Sequence, residues 1–138
     1  MKRFLTVVLL SSLASFSVWA DGTTSLTQTH WVATRINGTA INGEPPTLTI
    51  DQNRAYGSSG CNRFTGNAML SDNNSLRFGQ MASTRMACQD PAGLQEVAYF
   101  KALSSVTGYH LNQSDLILLD KDFNKVVEFR TMPESPPH

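Results

Sequence analysis

The sequence predicts a mainly β (α+β) fold, a small antiparallel sheet that is barrel-like or strongly curved and carries one covering helix. Three observations lead there. Short stretches rich in β-branched and aromatic residues recur along the chain, several of them alternating polar with apolar positions. Asn-Gly pairs and polar clusters separate these stretches at close spacing. One stretch only, after Asp90-Pro91, places its apolar residues at helical spacing.

The elements follow in order. His30 to Ile36 carries Trp31, Val32 and Ile36 and reads as a strand, ended by the turn pair Asn37-Gly38. Asn42-Gly43 is a second turn pair, and Pro45-Pro46 forces an extended entry into Thr47-Leu48-Thr49-Ile50, an alternating strand. Arg54 to Gly57 returns antiparallel to it. Ser58 to Gly66 reads as a loop, Thr65 to Leu70 as a strand, Ser71 to Asn74 as a turn, and Ser75 to Phe78 as a strand with Leu76 and Phe78 on one side. Ala82 to Cys88 is irregular. Asp90 is the expected N-cap, Pro91 the first helical residue, and the helix runs to Val106 with Gly108 as its stop. Ala92, Tyr99, Phe100, Leu103 and Val106 fall on one stripe, and Glu96 falls inside it. Strands resume at Tyr109 to Leu111, Leu116 to Leu119 and Val126 to Phe129, with a turn at Asp120 to Asn124. Strands, then one helix, then strands is the layout of a sheet with a single cover, and short strands favour closure because closure removes exposed edges.

The two ends of the chain lie outside this fold. Lys2 and Arg3, an apolar run from Phe4 to about Ser15, and Val18-Trp19-Ala20 have the layout of a signal peptide over residues 1–20, cut before Asp21. The apolar run is shorter than the roughly 20 residues a membrane span needs, so the expectation is a cleaved leader and no integral membrane segment afterwards. No cysteine stands at the cut to take a lipid. The expected destination is the periplasm. Residues 21–130 form the expected domain, and residues 131–138, with Pro133, Pro136 and Pro137, an expected disordered tail. Loss of residues 1–20 removes Lys2 and Arg3 and leaves 118 residues with 9 basic and 11 acidic side chains, a formal charge of −2. That balance gives no electrostatic footprint for nucleic acid. A monomer without cofactor or bound metal is expected.

Chemistry concentrates in two segments. In Ser58 to Gly66 and just before it, Gly57, Gly60, Asn62 and Gly66 are turn residues around Cys61. Met81 to Pro91 brings Arg85 and Cys88. Two cysteines in an exported chain are expected to bond, and closing a loop between positions 61 and 88 contributes roughly 3–4 kcal/mol. A metal site would need closer ligand spacing than Cys61, Cys88 and the distant His30, His110 and His138 offer. Joining the cysteines draws Arg63 and Arg85 together, and Glu96 is the acid expected between them. The arrangement is either a buried polar lock or an anion site. Enzyme signals are thin: Gly57-Ser58-Ser59-Gly60 is not a hydrolase elbow, so no catalytic residue is assigned.

Taken in sequence, Trp31, the Asn-Gly pair, the proline-led strand, Gly60-Cys61-Asn62-Arg63-Phe64-Thr65-Gly66, Thr84-Arg85-Met86-Ala87-Cys88 and a helix with Glu96 and Ala102-Leu103 resemble the META domain, the family of HslJ-like bacterial heat-shock proteins. The resemblance spans about residues 26–130. It implies a small barrel-like domain with one helix, a cell-envelope location, and a link to heat shock and novobiocin resistance. It carries no catalytic residues. Its members often bear a lipid-anchored cysteine at the cleavage point, where this chain has Asp21. The functional expectation is a non-enzymatic envelope stress module that binds an envelope protein or a small ligand. The alternative is an inhibitor-like or chaperone-like protein acting on another secreted protein.

Overall fold

The structure is a computed structural model and describes residues 24–132, together with residue 11 and residues 13–15. Ten strands and one helix occur among them: β1 (Trp31–Ile36), β2 (Thr39–Ala40), β3 (Thr47–Asp51), β4 (Arg54–Ser58), β5 (Arg63–Ser71), β6 (Ser75–Phe78), β7 (Ala82–Ser83), α1 (Ala92–Ser104), β8 (Gly108–Leu111), β9 (Asp115–Leu119) and β10 (Lys125–Thr131). The remainder of the expected signal peptide and tail, with the cut before Asp21, lies outside the described residues. Thr131 belongs to the domain, since it pairs with Trp31 at the end of β10.

Eight of these strands close into an antiparallel barrel in the order β1, β3, β4, β5, β6, β8, β9, β10, and β10 returns to β1. The short β2 and β7 sit beside β1 and β5. Alternation along each strand sends Leu48 and Ile50, Ala55, Phe64 and Ala68, Leu76, Leu116 and Leu118, and Val127 and Phe129 into one core. Two strands break the period of two. Ala33 and Ile36 are both buried because the register of β1 shifts between Ala33 and Arg35. Val126 and Val127 are consecutive and both buried because β10 shifts between Lys125 and Val127. Such bulges bend a strand and sharpen its twist, which a closed barrel of short strands requires. Trp31 fills the centre fully buried and donates its indole N–H to the Leu26 carbonyl at 3.0 Å.

The turns follow their chemistry. Asn37 and Gly38 both have positive φ, the requirement of the tight hairpin between β1 and β2. In the turn between β9 and β10, Asp120 Oδ1 accepts the N–H groups of Asp122 and Asn124 at 2.9 Å each. The Asn124 side-chain amide, with its backbone N–H, holds the Asp120 carboxyl below the usual range.

The helix α1 packs on β10 and β1 and also on β6 across the barrel, so it lies over one mouth. Tyr99, Ala102 and Leu103 face inward. Tyr99 is fully buried, meets Phe64 and Phe129 edge-on at 5.8 and 6.4 Å, and donates its hydroxyl to the Thr47 carbonyl at 2.9 Å. Burial pushes its phenol well above the ordinary value. Both helix ends differ from expectation. Pro91, not Asp90, is the cap: its carbonyl accepts the Gln95 N–H at 3.0 Å, and its ring has no acceptor to make a side-chain cap bond. The helix stops at Ser104, where Ser105 and Val106 turn back on the Ala102 and Leu103 carbonyls. Gly108 is not a helix stop but the first residue of β8, paired with Leu119 and Ser75. An added Cβ there would stand 3.1 Å from the Asn74 carbonyl oxygen.

Candidate functional site

The loop Ser59–Asn62 joins β4 to β5 beneath the helix. It is shorter than the sequence suggests, because β5 begins at Arg63 rather than Thr65. The loop is a tight turn closed by the Ser59 N–H on the Asn62 carbonyl at 2.8 Å. Gly60 makes the turn possible: its φ is +93°, and an added Cβ would sit 2.6 Å from the Glu44 carbonyl oxygen. Gly57 is a close-approach glycine, since a Cβ there would run into the Thr47 backbone. Gly66 faces Met81.

Ser59 and Asn62 are buried polar residues, and Glu96 of α1 completes them. Ser59 Oγ accepts the Asn62 N–H at 2.9 Å and donates to Glu96 Oε2. The Asn62 amide works at both ends. Its Nδ2 donates to Glu96 Oε1 and Oε2 at 3.0 and 2.9 Å and reaches the Met86 carbonyl at 3.3 Å. Its Oδ1 accepts the Thr84 hydroxyl at 3.0 Å and the Met86 N–H at 2.8 Å. One side chain therefore ties three segments: the loop, the helix and the strap at residues 84–88. The Cys61–Cys88 disulfide joins the same loop and strap, with Cα atoms 6.2 Å apart, inside the range such bridges occupy.

Glu96 is half-buried, as its place on the helix stripe requires, but its partners correct the expected lock. The arginines do not reach it. Arg63 and Arg85 are exposed, and the ion pairs among the described residues are Lys121–Asp122 and Arg130–Asp115, both at the surface. The reason is strand parity. Phe64 points into the core, so its neighbour Arg63 must point out. Arg85 lies on the exposed side of the strap. Asn62 and Ser59 satisfy the carboxylate with neutral donors, which avoids bringing a second charge out of water. The disulfide does bring loop and strap together, but the two guanidiniums line separate depressions: Arg63 lies with Tyr56 and Ser58, Arg85 with Met81 and Ser83. Asn62 as the hub, with Ser59 and Thr84, went unread in the sequence; an amide flanked by Cys61 and followed by alternating β5 was the available signal.

The family model of the META domain matches residues 24–133. The chain belongs to the META domain family. A search of curated proteins finds no match. Among solved structures, this META domain is similar to a protein from Burkholderia xenovorans determined by NMR, with 33% identity, 79% of this chain and 85% of that chain covered, and a TM-score of 0.62. A second protein determined by NMR is 23% identical over 78% of this chain and 94% of its own, with a TM-score of 0.61. A DUF4847 family protein from Bacteroides vulgatus shares the fold at 13% identity, covering 80% of this chain and 96% of its own, with a TM-score of 0.58.

Two further surfaces of the META domain bear on binding. One is a depression of about 370 Å³ between the β1–β2 hairpin and α1, lined by Ile36, Ala40, Ile41, Pro91, Leu94 and Ala98 among others. Leu94 and Val97 are each 66% exposed on the helix. The other is the outer face of β3, β4 and β5, where Tyr56 lines two depressions, one shared with Asp51 and Arg54 and one with His30 and Arg63. Among the described residues, no helix is long and apolar enough to cross a membrane, and no three His, Cys, Asp or Glu side chains gather as metal ligands.

Proposed function

We propose that this META domain is a non-enzymatic binding module of the bacterial cell envelope that serves the stress response. Residues 1–20 direct it to the periplasm, where it acts as a soluble monomer, and its loss sensitises the cell to heat and to novobiocin. The observation that carries the reading is the commitment of the polar loop. Ser59, Asn62 and Glu96 bond to one another beside the Cys61–Cys88 disulfide, and His30 bonds Thr49 rather than a serine. Ser59 and Glu96, which could otherwise serve as nucleophile and base, are engaged in holding the loop. A disulfide at that point suits an oxidising compartment and a protein that must survive when others unfold.

Deletion of the gene, followed by growth at elevated temperature and on novobiocin, tests this. Reduced survival restored by the wild-type gene, and not by a copy lacking residues 2–20, supports the module. Unchanged survival in both conditions overturns the stress role. Recovery of the protein only in the membrane fraction overturns the soluble periplasmic location.

A second reading, a chaperone-like or inhibitor-like protein, draws on the apolar depression beside α1 and on exposed Leu94 and Val97. Its measurement is suppression of aggregation of an unfolded secreted protein. Leu94→Ser with Val97→Ser should abolish that suppression without changing the melting temperature.

A further inference from the structure

The second depression on the outer face, about 390 Å³, has the makings of a ligand site. Its volume is at the lower end of the roughly 300–1,000 Å³ seen for small-molecule clefts. Its walls hold Arg63 and His30 and no acidic residue. Arg63 has no ion pair among the described residues. The strands fix this set: register places Thr49 opposite Tyr56 and Ser58 opposite Arg63, and since Leu48, Ile50, Ala55 and Phe64 take the core side, alternation turns these four away from it, Thr49 lying buried beneath its neighbours. Asp51, at the end of β3, lies at the far hairpin opposite Arg54 and lines the other depression.

The groups are oriented as well as gathered. Thr49 Oγ1 stands 2.9 Å from His30 Nδ1, which holds the ring and leaves Nε2 for another partner. Ser58 Oγ accepts the Gly60 N–H at 3.0 Å and keeps its own proton to donate. Thr47 Oγ1 holds the Ser58 N–H at 2.9 Å, so the serine backbone is fixed from the neighbouring strand. Tyr56 is 38% exposed and presents an aromatic surface at the rim.

We propose that this depression binds a small organic anion, a carboxylate or phosphomonoester carried on a flat apolar body. The anionic head accepts hydrogen bonds from the Arg63 guanidinium, the His30 ring and the Ser58 hydroxyl. A forked guanidinium and a neighbouring hydroxyl suit an oxygen-rich head group. The body lies against Tyr56, as apolar groups do on exposed aromatic rings. The site goes beyond the stress reading and stands without it.

Its test uses the purified full domain, isotopically labelled and titrated with phenyl phosphate, phenylacetate and uncharged benzyl alcohol while amide resonances are followed. Either anion should shift the amides of His30, Thr49, Ser58 and Arg63 saturably, and the stronger of the two identifies the head group. Loss of a charge-assisted hydrogen bond in Arg63→Gln should weaken binding about tenfold. Arg85→Gln, altered at a different depression, should bind as the wild type does. Tyr56→Ala should weaken phenyl phosphate more than inorganic phosphate. The proposal is overturned if no saturable shift appears at these amides, if benzyl alcohol produces the same shifts, or if Arg85→Gln weakens binding as much as Arg63→Gln.

Discussion

Asn62 and Arg63 are adjacent in sequence and lead opposite lives. Asn62 turns inward, is 2% exposed, and its side chain has partners on two other segments, the helix and the strap. Arg63 turns outward and has no acidic partner among the described residues. The neutral amide therefore holds the fold, while the charged side chain remains available to a ligand. Charge is a poor guide to which residue fastens a protein, because a buried charge carries a desolvation cost that an amide avoids. The number of donors and acceptors a side chain can place at once is the better guide.

The contrast can be measured, beginning with the disulfide. Replacing both Cys61 and Cys88 by Ala should cost roughly 3–4 kcal/mol in urea melts, the loop-closure value for this separation. An unchanged midpoint would mean that the hydrogen bonds alone hold loop to strap. Asn62→Ala should cost about 3 kcal/mol, since it leaves the Glu96 carboxylate with Ser59 alone and strands the Met86 N–H. Glu96→Ala should cost less, about 2 kcal/mol, because Ser59 and the Asn62 amide keep other partners. Arg63→Gln and Arg85→Gln should each fall within about 0.5 kcal/mol of wild type. A loss of several kcal/mol in either arginine variant would restore the charged lock that the geometry denies.

Tyr99 supplies a pH test on the same helix. Its folded pKa is raised by burial, so below the unfolded phenol value of about 10 both states keep the proton and stability is intact. As pH rises above that value, the unfolded chain ionises while folded Tyr99 does not. Stability therefore falls until the folded pKa is passed. Tyr99→Phe should lose about 1 kcal/mol at neutral pH with its bond to Thr47, and its melts should fall less steeply between pH 9 and about pH 11. Parallel pH profiles for the two proteins would remove Tyr99 from the explanation.

Much of this architecture was legible in the residues. Alternation marked Thr47 to Ile50 and Ser75 to Phe78, Asn37-Gly38 marked the first hairpin, and the helix stripe placed Tyr99 and Leu103 inside. The disulfide followed from two cysteines in a chain whose first residues read as a signal peptide. The bulges in β1 and β10 were not legible, because they answer the curvature of the closed barrel and no local propensity encodes them. The partner of Glu96 was misread for a related reason. A carboxylate on an apolar stripe announces that a partner is needed, and only the parity of β5 decides that Asn62, not Arg63, can reach it. Gly108 was misread because a glycine beyond a helix has two uses, a left-handed cap or a close crossing, and the approach of Asn74 selects the second.

The pairing of β10 with β1 brings the first and last strands side by side, Trp31 against Thr131. Folding cannot be completed as the chain emerges, because the first strand waits for the last. Until residues 125–131 arrive, β1 and β9 each present a bare row of N–H and C=O groups, the surface on which chains join one another. A chain truncated before β10 would keep most of its apolar residues yet expose both edges at once. Its characteristic failure would be association into aggregates rather than simple unfolding.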